Sequence, residues 1–161
     1  MTDGHEAFSA RDLTYMDMAL EEARGAAEAG DVPVGAVLVR ATPSGDAVLA
    51  IGRNTRERDH TALGHAEINA IGDACRACGA WRLADCTLYV TLEPCPMCMW
   101  AILQSRIDRL FFGSYDTVYG ALSVLPEMIT MSNSKLCHKG GIMEQECDII
   151  LNEYFNKMRA R

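Results

Sequence analysis

The chain has 161 residues, 49% of them hydrophobic, and a formal net charge of −7. That is the size of one ordinary domain with enough apolar material for a proper core, so a single domain over residues 1–161 is expected. The acidic balance works against a polyanionic partner, whose affinity comes largely from Lys and Arg at phosphates, although a local basic strip can coexist with an acidic remainder. The start, Met1-Thr2-Asp3-Gly4-His5-Glu6, lacks the basic patch and apolar stretch of a secretory signal. No apolar run reaches the roughly eighteen positions of a membrane helix, so no membrane is expected. Seven dispersed cysteines, an odd number, argue against a disulfide framework and for a reducing, cytoplasmic setting.

Leu13, Met16, Leu20, Ala23 and Ala27 recur at steps of three and four, which predicts an amphipathic helix with Gly30 placed to end it. The apolar runs Val34 to Val39 and Ala47 to Ile51, separated by Pro43-Ser44-Gly45-Asp46, read as a β-hairpin. A second helix runs from near His65 to Gly79, and Thr87 to Leu92 reads as a buried strand. Pro96 suits the first turn of a third helix, and Leu110-Phe111-Phe112 reads as a fourth strand. Residues 114–141 carry no clear period and read as a loop region with one short helix or strand. Met143, Cys147, Ile150, Tyr154 and Met158 mark a closing helix. Alternating helices and strands predict an α/β sandwich around one central sheet.

Two motifs carry chemistry: His65-Ala66-Glu67 at a helix start, and Pro94-Cys95-Pro96-Met97-Cys98 at the next strand-to-helix junction. Cys95 and Cys98 are three apart, so in a first helical turn both sulfurs can reach one metal at about 2.3 Å. Two thiolates and the neutral His65 imidazole balance Zn²⁺ and leave one tetrahedral position open, as catalytic rather than structural sites do. The helix N-terminus favours the thiolate form that the metal needs. Glu67 is two residues from His65; on a regular helix such neighbours face apart, so Glu67 is read as a proton carrier beside the metal rather than a fourth ligand. An H-x-E followed by P-C-x-x-C is the signature of zinc nucleobase deaminases.

Cys75 and Cys78 form a second C-x-x-C and, with Cys95 and Cys98, match the spacing of a structural four-cysteine zinc ribbon without enzymatic activity. Against it, Cys75 and Cys78 fall in the later turns of a helix, where cysteines are commonly small buried hydrophobes. His5, His60 and His138 are isolated. Cys86, Cys137 and Cys147 read as packing residues, and Phe111-Phe112 as core.

At these motifs the chain resembles the bacterial tRNA-specific adenosine deaminases of the cytidine deaminase superfamily. The likeness runs from Asp31-Val32-Pro33-Val34-Gly35-Ala36-Val37, through His65-Ala66-Glu67, Leu88 to Cys95, Ser105-Arg106-Ile107 and Phe112-Gly113, into Gly141 to Cys147. The resemblance implies a three-layer α/β/α sandwich with a central five-stranded mixed sheet, one Zn²⁺ per subunit, a homodimer, and adenosine-to-inosine conversion at the wobble position of a tRNA anticodon loop. Glu67 is then catalytic and His65, Cys95 and Cys98 hold the metal. Asn54 hydrogen-bonds the purine, Asp116 lies near the ribose, and Val37, Ala66, Glu93 and Pro94 belong to the substrate site. Tyr154, Phe155, Lys157 and Arg159 would follow the RNA.

The chain departs from the family pattern at Met99-Trp100-Ala101, where Ala-Gly-Ala is usual, and at Thr117 to Ser123, which replaces a glycine-rich stretch. These departures leave open a relative that deaminates a free nucleobase or nucleoside of guanine, cytosine or adenine type. Arg53, Arg56, Arg58, Arg106, Lys157, Arg159 and Arg161 form either a basic strip for RNA or an ordinary solvated surface.

Overall fold

Ser9 starts the first helix, α1 (Ala10–Glu28), through a reciprocal capping box with Asp12, and Gly30 follows its end in left-handed backbone at φ +87°. A computed structural model describes residues 7–161; the N-terminal stretch and His5 lie outside the described residues. Met16, Ala19, Leu20, Ala23 and Ala26 form the buried stripe of α1, so the face is turned slightly from the expected one and Leu13 stays exposed.

The hairpin forms as expected, with β1 (Gly35–Thr42) and β2 (Gly45–Arg53) antiparallel around Pro43-Ser44. Next come α2 (Ala66–Cys78), β3 (Cys86–Leu92), α3 (Pro96–Gln104) and β4 (Arg109–Ser114). The stretch read as a loop holds two four-residue helices, α4 (Ala121–Val124) and α5 (Met128–Met131), and a strand, β5 (Cys137–Gly140); α6 (Glu144–Arg159) closes the chain. The sheet order is β2-β1-β3-β4-β5, antiparallel on the hairpin side and parallel from β3 to β5, which is the expected five-stranded mixed sheet.

Strand alternation divides the core between two layers of helix. Ala36, Leu38, Leu88, Val90, Leu110 and Phe112 point to one face and pack with Ala66, Ala70 and Ala74 of α2 and Met99, Ile102 and Leu103 of α3. Val37, Val39 and Tyr89 point to the other, against Met16, Ala19 and Leu20 of α1 and Cys147 of α6. The closing helix is less buried than its apolar stripe implies: Cys147 is buried, Ile150 and Tyr154 are half-buried, and Met158 is exposed. No helix among the described residues is long and apolar enough to cross a membrane.

Two glycines set where α2 lies. Gly79 ends it in left-handed backbone at φ +61°. Gly52 on β2 lets it come close: a Cβ there would stand 2.3 Å from the Ala66 carbonyl oxygen and 2.8 Å from the Ala70 nitrogen, both backbone atoms that cannot swing aside. Gly52→Ala is therefore expected to lower the free energy of unfolding by about 1–3 kcal/mol in urea denaturation, by forcing helix and strand apart. An unchanged midpoint would mean that the helix does not need this approach.

Candidate active site

β1 runs antiparallel to β3, so the start of β1 and the ends of β2, β3 and β4 gather at one edge of the molecule. In open α/β sheets, ligands bind outside the carboxyl ends of strands. Here the chain leaves β2 at Asn54, whose N–H donates to the Val34 carbonyl at 3.1 Å, and returns when the Thr55 N–H donates to the Gly64 carbonyl at 2.8 Å. That loop delivers His65. Asn69, in the first turn of α2, clamps the turn to the strand end by donating from Nδ2 to the Arg53 carbonyl at 2.9 Å and the Thr55 hydroxyl at 3.1 Å. Beyond β3, Glu93-Pro94-Cys95 leads into α3, with Cys95 as N-cap and Pro96 in the first turn.

His65 is the N-cap of α2 and has extended backbone, φ −89° and ψ 146°. The i, i+2 divergence expected within a regular helix therefore does not apply to His65 and Glu67, and both side chains turn towards Cys98. His65 Nδ1 lies 3.4 Å from Cys98 Sγ and 3.7 Å from Cys95 Sγ. The three donor atoms all fall within 4.8 Å of one another. Tetrahedral bonds of about 2.0–2.3 Å to one zinc put neighbouring N and S ligands about 3.5 Å apart, so this donor set fits that ion.

Charge at the site is shared rather than isolated. Hydrogen bonding from Cys98, then from His65, holds the Cys95 thiol down to about 4, while the hydrogen bond to Cys95 and burial push Cys98 the other way. The hydrogen bond to Cys95 also raises the His65 pKa. Glu67 is 4% exposed. Its burial pushes the carboxyl up to about 6, and Cys98 is a hydrogen-bonding neighbour. A carboxyl whose pKa approaches neutrality can both take and return a proton.

The other expected site residues fall into three groups. Asn54 is buried beside the loop that carries His65; its Oδ1 accepts the Arg56 N–H at 3.0 Å, and no hydrogen bond among the described residues engages its Nδ2. Ala66 opens α2 and Pro94 precedes Cys95, so both lie next to the donor cluster. Glu93 and Asp116 form a second set one step away: the Glu93 carboxylate accepts the N–H groups of Asp116 and Ser123 and the Ser123 hydroxyl, so its oxygens face a loop of the chain itself. Val37 lies apart from both sets. Its side chain is fully buried on the α1 side of the sheet among Met16, Leu20 and Tyr89, because strand alternation sends it away from the face that carries α2 and α3.

The arginines do not make a free basic strip at this edge. Arg53 lies against Glu22 at 2.8 Å, Arg58 against Asp59 at 3.0 Å and Arg56 within 3.8 Å of Glu57. Nor do Cys75 and Cys78 join the donor cluster. Cys78 Sγ meets the Arg40 guanidinium at 3.6 Å, and Cys75 Sγ points at the Trp81 carbonyl. Among the described residues, His65, Cys95 and Cys98 are the only group of three or more such donors.

Residues 9–114 match the family model of the cytidine and deoxycytidylate deaminase zinc-binding region. The chain belongs to this deaminase family. Zinc is its metal and hydrolytic deamination its chemistry. It is 39% identical over 155 residues to the tRNA-specific adenosine deaminase of Bacillus subtilis (strain 168), covering 94% of this chain and 92% of that one. A solved structure from a study of A-to-I editing by tRNA:A34 deaminases superposes with a TM-score of 0.79 at 39% identity, covering 86% of this chain and 99% of that one. The guanine deaminase of Bacillus subtilis superposes with a TM-score of 0.61 at 35% identity, over 68% of this chain and 67% of that one. These family members share the sandwich described above.

The Arg40 guanidinium beside Cys78 disfavours a cation there. The Cys75→Ser/Cys78→Ser double variant is therefore expected to keep its zinc, measured by metal analysis after exhaustive dialysis. Loss of the metal would return the four-cysteine ribbon to contention.

Proposed function

We propose that this deaminase converts adenosine to inosine at the wobble position of tRNA, working in the cytoplasm as a single-domain homodimer. What supports the reading is the three-donor cluster with a buried carboxylate beside it, in a chain 39% identical to a tRNA-specific adenosine deaminase over almost its whole length. His65, Cys95 and Cys98 would hold one zinc ion. Bound zinc supplies a nucleophile at neutral pH by lowering the pKa of water.

The remaining work belongs to side chains of the chain. Water adds to the purine carbon that bears the amine, the C–N bond breaks, and ammonia leaves with the proton balance closed through one carboxyl group. Glu67 accepts the proton that the attacking water gives up and delivers protons to the ring nitrogen and the departing amine. Burial suits Glu67 to that double duty, since a carboxyl poised near 6 gives up its proton more readily than water and accepts one more readily than an exposed glutamate. Asn54, with its Nδ2 donors unengaged, would orient the base, while Ala66 and Pro94 would line the pocket. The homodimer reading draws on exposed apolar side chains of two touching helices, Trp100 on α3 and Met131 on α5.

A free purine base is the second reading, favoured by the resemblance to a guanine deaminase structure. One assay separates them. The zinc-loaded protein incubated with tRNA, guanine, cytosine, adenine and their nucleosides is expected to release ammonia with tRNA and to leave inosine at the wobble position. Ammonia from a free base alone would overturn the tRNA assignment.

Glu67→Gln keeps a side chain of the same shape and removes the proton carrier. It is expected to retain zinc and to lose turnover by about 100-fold or more, the usual contribution of a positioned acid/base. Wild-type turnover in this variant would overturn the role given to Glu67.

A further inference from the structure

The segment Thr117 to Ser123, one of the two that depart from the family pattern, is tied down by hydrogen bonds at both ends. Glu93, 2% exposed, accepts the Asp116 N–H at 2.9 Å, the Ser123 N–H at 2.8 Å and the Ser123 hydroxyl at 2.9 and 3.0 Å. Asp116 in turn accepts the N–H groups of Val118 at 3.0 Å and Tyr119 at 2.9 Å on its Oδ1. At the far side, the Ala121 N–H donates to the Pro94 carbonyl at 2.8 Å, one residue before Cys95. A Cβ at Gly120 would stand 2.3 Å from both the Asp116 carbonyl oxygen and Glu93 Cδ, so the turn is closed as tightly as the backbone permits.

On this fixed turn, two residues before the Ala121 that bonds Pro94, Tyr119 is 70% exposed. An aromatic ring gains by leaving water, and among the described residues this one stays mostly uncovered. Arg53, Arg56 and Arg58 at this edge lie beside acids, and the chain carries a net charge of −7, so phosphate attraction here is reduced. Base–aromatic stacking does not depend on net charge and is sequence-tolerant, because every base has a π-face.

We propose that Tyr119 is a stacking platform for a nucleobase next to the target adenosine, exposed once the target is turned out of the RNA loop and into the pocket. The inference rests on the tRNA reading and adds a contact that a free base or nucleoside could not make. Glu93 is then a positioning residue: its carboxylate fixes the turn from which the ring projects.

The test uses the zinc-loaded full chain and three anticodon stem-loop RNAs: one intact, and two in which the nucleotide on the 5′ or the 3′ side of the target adenosine is abasic. On the intact RNA, Tyr119→Ala raises KM about tenfold while kcat holds, the size expected for one lost base–aromatic stack. Tyr119→Phe, which keeps the ring, restores KM. On one abasic RNA, wild type and Tyr119→Ala have equal KM, because the base that the ring would cover is missing. Zinc content, measured in parallel, stays at the wild-type value in both variants. An unchanged KM in Tyr119→Ala on the intact RNA overturns the stacking proposal, and so does a loss that persists undiminished on both abasic RNAs. A wild-type protein that deaminates none of the RNAs overturns the tRNA reading itself, and the stacking contact with it.

Discussion

Two helix N-termini have to meet within a few ångströms beyond the end of β3, and nearly every other feature of the molecule can be traced to that requirement. A tetrahedral ion tolerates little error in ligand position, yet His65 and the two cysteines are thirty or more residues apart in the chain. The sheet resolves this by reversing direction once. Its antiparallel hairpin brings the exit from β2 to the same edge as the exit from β3, and small residues at Gly52, Ala66 and Ala70 let α2 settle close enough to the strands for His65 to reach Cys95 and Cys98. Helix N-termini are also the right electrostatic ends to aim at thiolates, since their unpaired N–H groups and dipoles favour negative charge.

The same convergence makes Glu67 workable. A buried carboxylate without partners would be a serious cost, and its pKa accordingly rises. It sits in the first turn of α2, with His65 on one side and Cys98 on the other, so the penalty is offset by neighbours that the metal site requires anyway. Burial that would be a liability elsewhere gives this carboxyl the raised affinity for protons that its proposed role would use. Stability and the proposed chemistry draw on one placement here, so a change in the packing of α2 also moves the site.

Much of this was legible in the sequence, and the exceptions share a cause. The donor cluster, the carboxyl beside it and four of the strands could be read because each lies in a strong local pattern: a continuous apolar run, an N-terminal proline, or paired donors at fixed spacing. β5 could not, since Cys137-His138-Lys139-Gly140 is short, polar and paired with β4 alone, so burial leaves no trace in its residues. The facing of Val37 is illegible for the opposite reason. The first part of its strand, Gly35 to Val39, is buried on both faces and wholly apolar, so nothing in the run Val34 to Val39 says which residues face α2 and which face α1; only the register with β3 decides it. His65 was placed on a helix when it caps one, and that single residue of difference turns its side chain from diverging from Glu67 to converging with it.

The paired arginines bear on what kind of RNA enzyme an acidic chain can be. Sequence alone left Arg53, Arg56 and Arg58 open as a basic strip, but each sits beside a carboxylate, and the partners come from α1 or from the same loop. Charges neutralised in this way contribute to loop order more than to long-range attraction. Short-range fit then carries more of the weight in the proposed function: the Asn54 amide, whose Nδ2 no hydrogen bond among the described residues engages, and a turn fixed by Glu93. Short-range contacts discriminate shape and ring chemistry better than charge does, and they keep their strength as salt rises. An enzyme built this way would select its target by the geometry of an unstacked loop, with little tendency to hold arbitrary nucleic acid.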